Sequence, residues 1–487
     1  MSTVLERTAV KQAGLFIDGK EQPSLSGETF QVLNPTDNSL LAEVAKAGRE
    51  DVDRAVAAAK RAFEGPWSAM KMAERSAVLS KVAQRIVERA PELAALESSD
   101  VGKPLKESRV EMPRASLNFR FFAELITKLN NETAPVDSDF LNYHQRRPIG
   151  VAALITPWNF PFMLTTWKAG PCLAAGNTCV IKPASVAPMT PLLLGEICAE
   201  AGLPEGVINI VAGPGPVVGT RLAEHPDVKL ISFTGETVTG QTIMTTSAQT
   251  LKRLSFELGG KSANIVFADA TWDEALAGSI RAIYSNQGEV CLAGSRLLVE
   301  DAIYDRFLAD FIDRASKLKI GNPLDETTDL GPVVSAEHLA RVKGYLDIAQ
   351  NEGGKVVYGG KTPVGWEQGN FLEPTVIADV DNEMRCAQEE IFGPVVVVER
   401  FKGEEEAIRL ANDSKYGLAG VVWTNDLRRA HRVAQSVDAG TIWVNCWFVR
   451  DLRVPFGGMK ESGIGREGGH WSLDFYTEQK NICIKLT

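Results

Sequence analysis

The sequence predicts an α/β protein of two consecutive lobes with a cleft between them, and a small β element set apart from both. Three observations carry this. From residue 151 onward, short runs of Val, Ile, Leu and Phe alternate with helical segments. Those runs are apolar on both faces, as strands buried in a parallel sheet require. The chain has 487 residues, more than one hydrophobic core of roughly 250–300 residues encloses.

The elements follow in order. After an N-terminal strand-like stretch, "EDVDRAVAAAKRAFE" (50–64) and "MAERSAVLSKVAQRIVERAPELAAL" (72–96) space their apolar residues as helices do. The first α/β series has strands at 151–156, 178–183, 206–211 and 229–235, each closed by a Gly-, Pro- or Thr-rich turn. The second has strands at 263–267, 295–300, 395–401, 419–424 and 441–445. Residues 137–150 and 475–487 alternate polar with apolar and read as edge strands. A bare edge invites aggregation, so these two segments are expected to pair with each other and with another subunit.

Composition narrows the function. Hydrophobic residues make up 44% and charged residues 23%, the balance of a globular enzyme, and a formal charge of −10 leaves no basic footprint for nucleic acid. No apolar run approaches the roughly 20 residues that span a bilayer, and the N-terminal residues show no secretory signal, so no membrane partner and a cytoplasmic location are expected. Seven cysteines, with no CxxC pair, fit a reducing compartment and speak against a disulfide framework or a structural zinc. No metal site is expected.

Three stretches gather the chemistry at the ends of strands, where α/β proteins place it. They are "TPWNFPF" (156–162), "SFELGGKS" (255–262) and "NQGEVCLAG" (286–294). Cys291 in the last is either a buried thiol or a nucleophile whose partners lie elsewhere in the chain. A nucleophilic cysteine acts as its thiolate, which adds to an electrophilic carbon such as a carbonyl. Asn159 lies ahead of Pro161, where an Asx turn is the plain reading of an Asn. Glu257, between Phe256 and Leu258, suits a base with a raised pKa better than it suits a surface carboxylate.

"FELGGKS" with "NQGEVC" downstream resembles the two active-site signatures of the NAD(P)-dependent aldehyde dehydrogenase superfamily. "PWNFP", "KP" at 182–183, "FTG" at 233–235, "EEIFGPV" at 389–395 and "PFGGMKESGIGRE" at 455–467 resemble further family blocks in family order. The resemblance implies an aldehyde dehydrogenase-like fold. A variant Rossmann cofactor domain would occupy 1–126 and 149–257, and a catalytic domain 258–467. Oligomerisation strands would lie at 127–148 and 468–487, in a homodimer or homotetramer. It implies that Cys291 attacks the aldehyde, that Asn159 and the Cys291 amide hold the oxyanion, and that Glu257 activates water on the thioester.

The resemblance also implies NAD or NADP as cofactor. No G-x-G-x-x-G follows the first strand. Gly235 and Gly240 in "FTGETVTG" open a helix whose N-terminus suits a phosphate, with Phe233 and Thr237 beside them. Gly215 and Gly219 in "AGPGPVVG" let backbone approach the adenine side. Family likeness adds Thr156, Trp158 and Leu258 to the cradle, Lys182 and Glu390 at the riboses, and Phe392 near the nicotinamide. Two departures stand out. Ser185 replaces the Glu common in NAD-preferring members, which leaves NADP open, and Glu236 puts an acid near the cofactor phosphates.

The tunnel to Cys291 is expected to be lined by Phe160, Trp167 and Phe456, the helix around 110–122 and the loop 446–456. "PRASLNF" with "RDLRVPFGG" resembles the subgroup acting on hydroxymuconic and aminomuconic semialdehydes from aromatic ring cleavage. A guanidinium fork suits a carboxylate, so Arg114 and Arg453 are expected to hold the substrate acid. The alternative is that they pair with Asp451 or Glu111 on the surface; Arg120 is expected to be structural. Competing functions are oxidation of an uncharged aliphatic, aromatic or betaine-type aldehyde, a CoA-acylating reaction (which Glu257 argues against) and an idle binding protein.

Overall fold

The computed structural model describes residues 11–136 and 139–487. Residues 1–10 and 137–138, which the expected domain and strand boundaries include, lie outside the described residues. Two sheets organise the molecule. The first has eight strands in the order Gly463–Ile464, Arg253–Glu257, Val228–Thr234, Val151–Ile155, Thr178–Lys182, Ile208–Ile210, Leu15–Ile17, Lys20–Gln22. Its five central strands are parallel. The second has seven, ordered Lys355–Tyr358, Thr375–Ala378, Val395–Phe401, Arg296–Glu300, Ala263–Val266, Ala419–Trp423, Thr441–Val444. All but the first of these run parallel.

The central strands are buried along their whole length, for example Val151–Ile155 and Thr178–Lys182. Helices cover both faces because such strands have no side to show to water. Helix Arg49–Ala62 buries Val52, Ala55, Val56 and Ala59. Glu50 and Asp51 in its first turn and Lys60 and Arg61 in its last oppose the helix dipole. The helix expected over 72–96 is two, Met72–Glu88 and Ala90–Val101, because the chain turns at Arg89 ahead of Pro91.

Strands Phe140–Pro148 and Thr477–Lys485 pair antiparallel over nine residues, from Pro148 opposite Thr477 to Phe140 opposite Lys485. Phe140, Leu141 and Ile484 on this ribbon are exposed. One feature crosses the expected lobe boundary. Gly463 and Ile464 return to the first sheet and pair with Glu257 and Phe256. Among the described residues, no helix is long and apolar enough to cross a membrane, and no group of three or more His, Cys, Asp or Glu is placed to hold a metal ion.

Candidate active site

Parallel strands bring their carboxyl ends to one edge, and four of those ends open onto a cleft of about 820 Å³. Thr156, Trp158 and Asn159 follow strand Val151–Ile155. Lys182 ends the next strand, Gly235 follows Val228–Thr234, and Leu258 follows Arg253–Glu257. Gly215, Gly219 and Phe233 line the same side, and Cys291, Glu390 and Phe392 come from the second lobe. The Lys182 ammonium is buried and, among the described residues, donates only to the Pro183 carbonyl, at 2.9 Å. Burial pulls its pKa down to about 8. One oxygen of Glu390 accepts from the Gly260 N–H at 2.9 Å, and burial pushes this carboxyl up to about 7. Phe392 stands at φ 61° and packs edge-on to Trp158 at 5.2 Å.

Three residues expected in the cradle sit behind its wall. The Ser185 hydroxyl donates to the Gly213 carbonyl at 2.8 Å, and Ser185 is not among the lining residues. Thr237 is buried and its hydroxyl donates to the Glu461 carbonyl at 3.3 Å. Gly240 lies under Leu258, which leaves only 2.8 Å for a Cβ. Sequence reasoning missed His338 and Arg341, which line the opposite wall from helix Ala336–Asn351. No motif marks them, because they enter from a surface helix of the second lobe.

Cys291 sits in a loop held by unusual backbone. Asn286, Gln287 and Gly288 have φ of 46°, 54° and 72°. A Cβ on Gly288 would lie 2.1 Å from the Gly393 carbonyl oxygen, so only glycine fits there. The Asn286 side chain donates to the Asn159 carbonyl at 2.9 Å, and the Asn159 amide donates to the Glu289 carbonyl at 2.8 Å. The loop and the donor are thus fixed to each other. Burial pushes the Cys291 thiol up to about 12, with Glu390 and Glu257 adding to the rise and Arg450 opposing it. At rest it is a thiol, and it needs a base.

Glu257 is buried, and among the described residues neither carboxylate oxygen has a hydrogen-bond partner. Burial raises its pKa well above the ordinary carboxylate range, and the nearby Glu467 raises it further. Glu467 is itself held by Lys168 at 2.8 Å, by the Ser232 hydroxyl at 3.2 Å and by the Trp167 indole N–H. No hydrogen bond joins Glu257 to Cys291, and Glu257 is not among the lining residues of the cleft. Its Oε1 lies toward Gly457, 2.8 Å from where a Cβ there would stand. An unpaired carboxylate whose pKa is raised in this way is a stronger base, once ionised, than a surface carboxylate.

Aromatic residues pack around Cys291 outside the cofactor-sized cleft. Phe160 meets Phe448 at 6.4 Å and Trp167 meets Phe456 at 6.3 Å. Two guanidiniums lie on these rings. Arg114 sits 5.3 Å above Phe448, and Arg450 sits 3.6 Å above Phe456 and 4.9 Å from Trp167. Among the described residues, neither has a carboxylate within ion-pair distance. Burial lowers the pKa of Arg450 to about 10, with Arg114 contributing. The expectation for Arg453 is corrected. Its side chain is 78% exposed and forks onto Asp451, at 2.9 Å and 2.6 Å. Arg450, three residues earlier, turns inward because two aromatic faces receive it. Arg120 pairs with Glu124 on the surface at 3.1 Å.

A profile described as the aldehyde dehydrogenase family matches residues 22–482. The chain is 46% identical over 486 residues to a 2-hydroxymuconic semialdehyde dehydrogenase of Pseudomonas sp. (strain CF600), covering 98% of this chain and 100% of that one. It is 45% identical to a betaine aldehyde dehydrogenase of Bacillus subtilis (strain 168), over 96% of each. Among solved structures, PnpE from Pseudomonas sp. WBC-3 superposes with a TM-score of 0.96 at 47% identity, covering 98% of both chains. PnpE has also been solved in complex with nicotinamide adenine dinucleotide.

Proposed function

The chain belongs to the aldehyde dehydrogenase family and is an NAD(P)-dependent enzyme; from that premise we propose that it oxidises a semialdehyde bearing a carboxylate, of the hydroxymuconic type, to the dicarboxylic acid. The observation that carries the substrate class is the pair Arg114 and Arg450, two inward guanidiniums without a carboxylate partner among the described residues. A partly buried cation calls for an anion, and the planar fork matches a carboxylate.

The cleft fits NAD(P). It offers the Lys182 ammonium, a Glu390 oxygen and the start of helix Thr237–Ser247 for polar groups, with Phe392 and Trp158 as apolar walls. When bound, NAD(P)+ supplies the hydride acceptor. The protein does the rest. Glu257 takes the Cys291 proton by way of water and passes it on to solvent, and Sγ adds to the aldehyde carbon. The free N–H of the Asn159 amide and the Cys291 N–H hold the oxyanion of the thiohemiacetal. Loss of hydride leaves a thioester on Cys291. Glu257 then deprotonates water, which attacks the thioester, and the acid leaves with the thiol restored. Ser185 puts no carboxylate beside the cradle, so the reading keeps both NAD and NADP. The exposed apolar residues of the Phe140–Pro148 ribbon support a homodimer or homotetramer, and seven free cysteines support a reducing, cytoplasmic setting.

The test is a substrate panel followed by NAD(P)H absorbance. 2-Hydroxymuconic semialdehyde should show a far higher kcat/KM than benzaldehyde or betaine aldehyde. A trimethylammonium head meets two guanidiniums in this tunnel and is disfavoured by charge. Equal efficiency on all three would end the assignment.

A further inference from the structure

Glu236 stands at the N-cap of helix Thr237–Ser247. A carboxylate there is drawn by the helix dipole onto the first free amides. That does not happen in this protein. Glu236 is extended, at φ −69° and ψ 145°, and its side chain makes no hydrogen bond to its own helix. It pairs instead with the Arg341 guanidinium. Arg341 lies on helix Ala336–Asn351 of the second lobe, so the pair bridges the mouth of the cleft from wall to wall. Val238, Thr239 and Gly235, at the start of the Glu236 helix, also line the cleft. Beside them the buried Thr234 hydroxyl has no partner among the described residues, although Thr234 lines the cavity.

An acid at this spot opposes phosphate binding twice over. It repels the anion, and it is positioned to occupy the amides that the anion needs. We propose that Arg341 is a positioning residue that holds Glu236 off the N-terminus of its own helix, keeping those amides open for a phosphate of NAD(P). Without Arg341, the Glu236 carboxylate becomes an internal competitor of the cofactor. The proposal rests on the reading that this cleft is the cofactor site. The side chains of Glu236 and Arg341 are 60% and 49% exposed, so the contact is a weak, exchangeable one. Its effect is therefore on affinity rather than on folding.

The experiment titrates NAD+ into full-length wild type, Arg341→Gln, Arg341→Lys, Glu236→Ala and the Arg341→Gln/Glu236→Ala double variant, followed by protein fluorescence. Arg341→Gln should weaken NAD+ binding about three- to tenfold. Arg341→Lys keeps the charge and should bind like wild type. The double variant should return to within about twofold of wild type, because the competitor has gone with its restraint. KM for NAD+ should rise in Arg341→Gln while KM for the aldehyde stays put. Unchanged binding in Arg341→Gln overturns the proposal. So does a double variant as weak as the single, which would mean that Arg341 touches the cofactor itself. Lys182→Met separates the two readings. If it loses NAD+ while Arg341→Gln does not, only the restraint falls. If neither changes binding, the cofactor site falls and the restraint with it.

Discussion

The side-chain amide of Asn159 donates one hydrogen bond, 2.8 Å long, to the backbone carbonyl of Glu289, two residues before Cys291. One N–H of the amide is thereby spent on orientation and the other is left for a ligand. Replacing Asn159 with Ala should lower kcat by about 10²–10³-fold with a smaller change in KM for the aldehyde, since the lost donor acts on charge that develops in the transition state. Steady-state kinetics check this, and an unchanged kcat would remove Asn159 from the oxyanion site.

Glu257 predicts opposite pH trends in rate and stability. Its pKa is raised by burial and by Glu467. The base form appears only as pH climbs through that raised value, so kcat should rise with pH on the acid side and Glu257→Gln should lose that limb. For stability the sign reverses. The folded protein keeps the proton that the unfolded chain has already given up, so stability falls as pH rises from the ordinary carboxylate range through the folded pKa. Thermal unfolding should therefore find Glu257→Gln gaining on wild type as pH rises, with the gap closing in acid.

Arg450 and Arg453 are three residues apart and should behave differently. Arg450→Met removes an inward cation and should raise KM for a semialdehyde acid by about 10–100-fold while sparing benzaldehyde. Arg453→Ala breaks a solvent-exposed pair with Asp451 and should change stability by less than about 0.5 kcal/mol and the semialdehyde KM little. The reverse pattern in the kinetics would return the carboxylate to Arg453.

Gly288 tests the Cys291 loop. A methyl group there meets the Gly393 carbonyl at 2.1 Å on a backbone already at φ 72°. Gly288→Ala should cost about 1–3 kcal/mol by denaturant unfolding and slow turnover by displacing the thiol. A fully active, equally stable variant would show that the loop yields freely.

Much of the fold was legible because parallel strands leave a plain mark. Runs such as "TCVIKP" and "VVVVERF" are mostly apolar, and they fall on observed strands to within a residue or two. The ribbon 140–148 and 477–485 was legible from alternation. Short strands such as Lys355–Tyr358 were not, being too brief to show a period. In the candidate site, Cys291, Asn159 and Glu257 could be singled out because each lies in a distinctive short motif, Asn159 and Glu257 at the carboxyl ends of strands. That Arg450 rather than Arg453 turns inward was not legible, because a loop has no periodicity. Which one turns inward depends on Trp167, Phe456 and Asp451, and only the folded chain brings those together. The Glu236–Arg341 contact joins residues 105 apart, beyond any local pattern.

The return of Gly463 and Ile464 to the first sheet has a mechanical consequence. Ser462, just before them, accepts the Leu258 N–H on its carbonyl at 2.9 Å, while its hydroxyl donates to Gly259 at 2.7 Å and accepts from Gly417 at 2.9 Å. A clamshell opening of the lobes would have to unzip this seam directly behind Glu257. Hinging the lobes apart would therefore strain the three Ser462 hydrogen bonds and the Gly463–Ile464 pairing together.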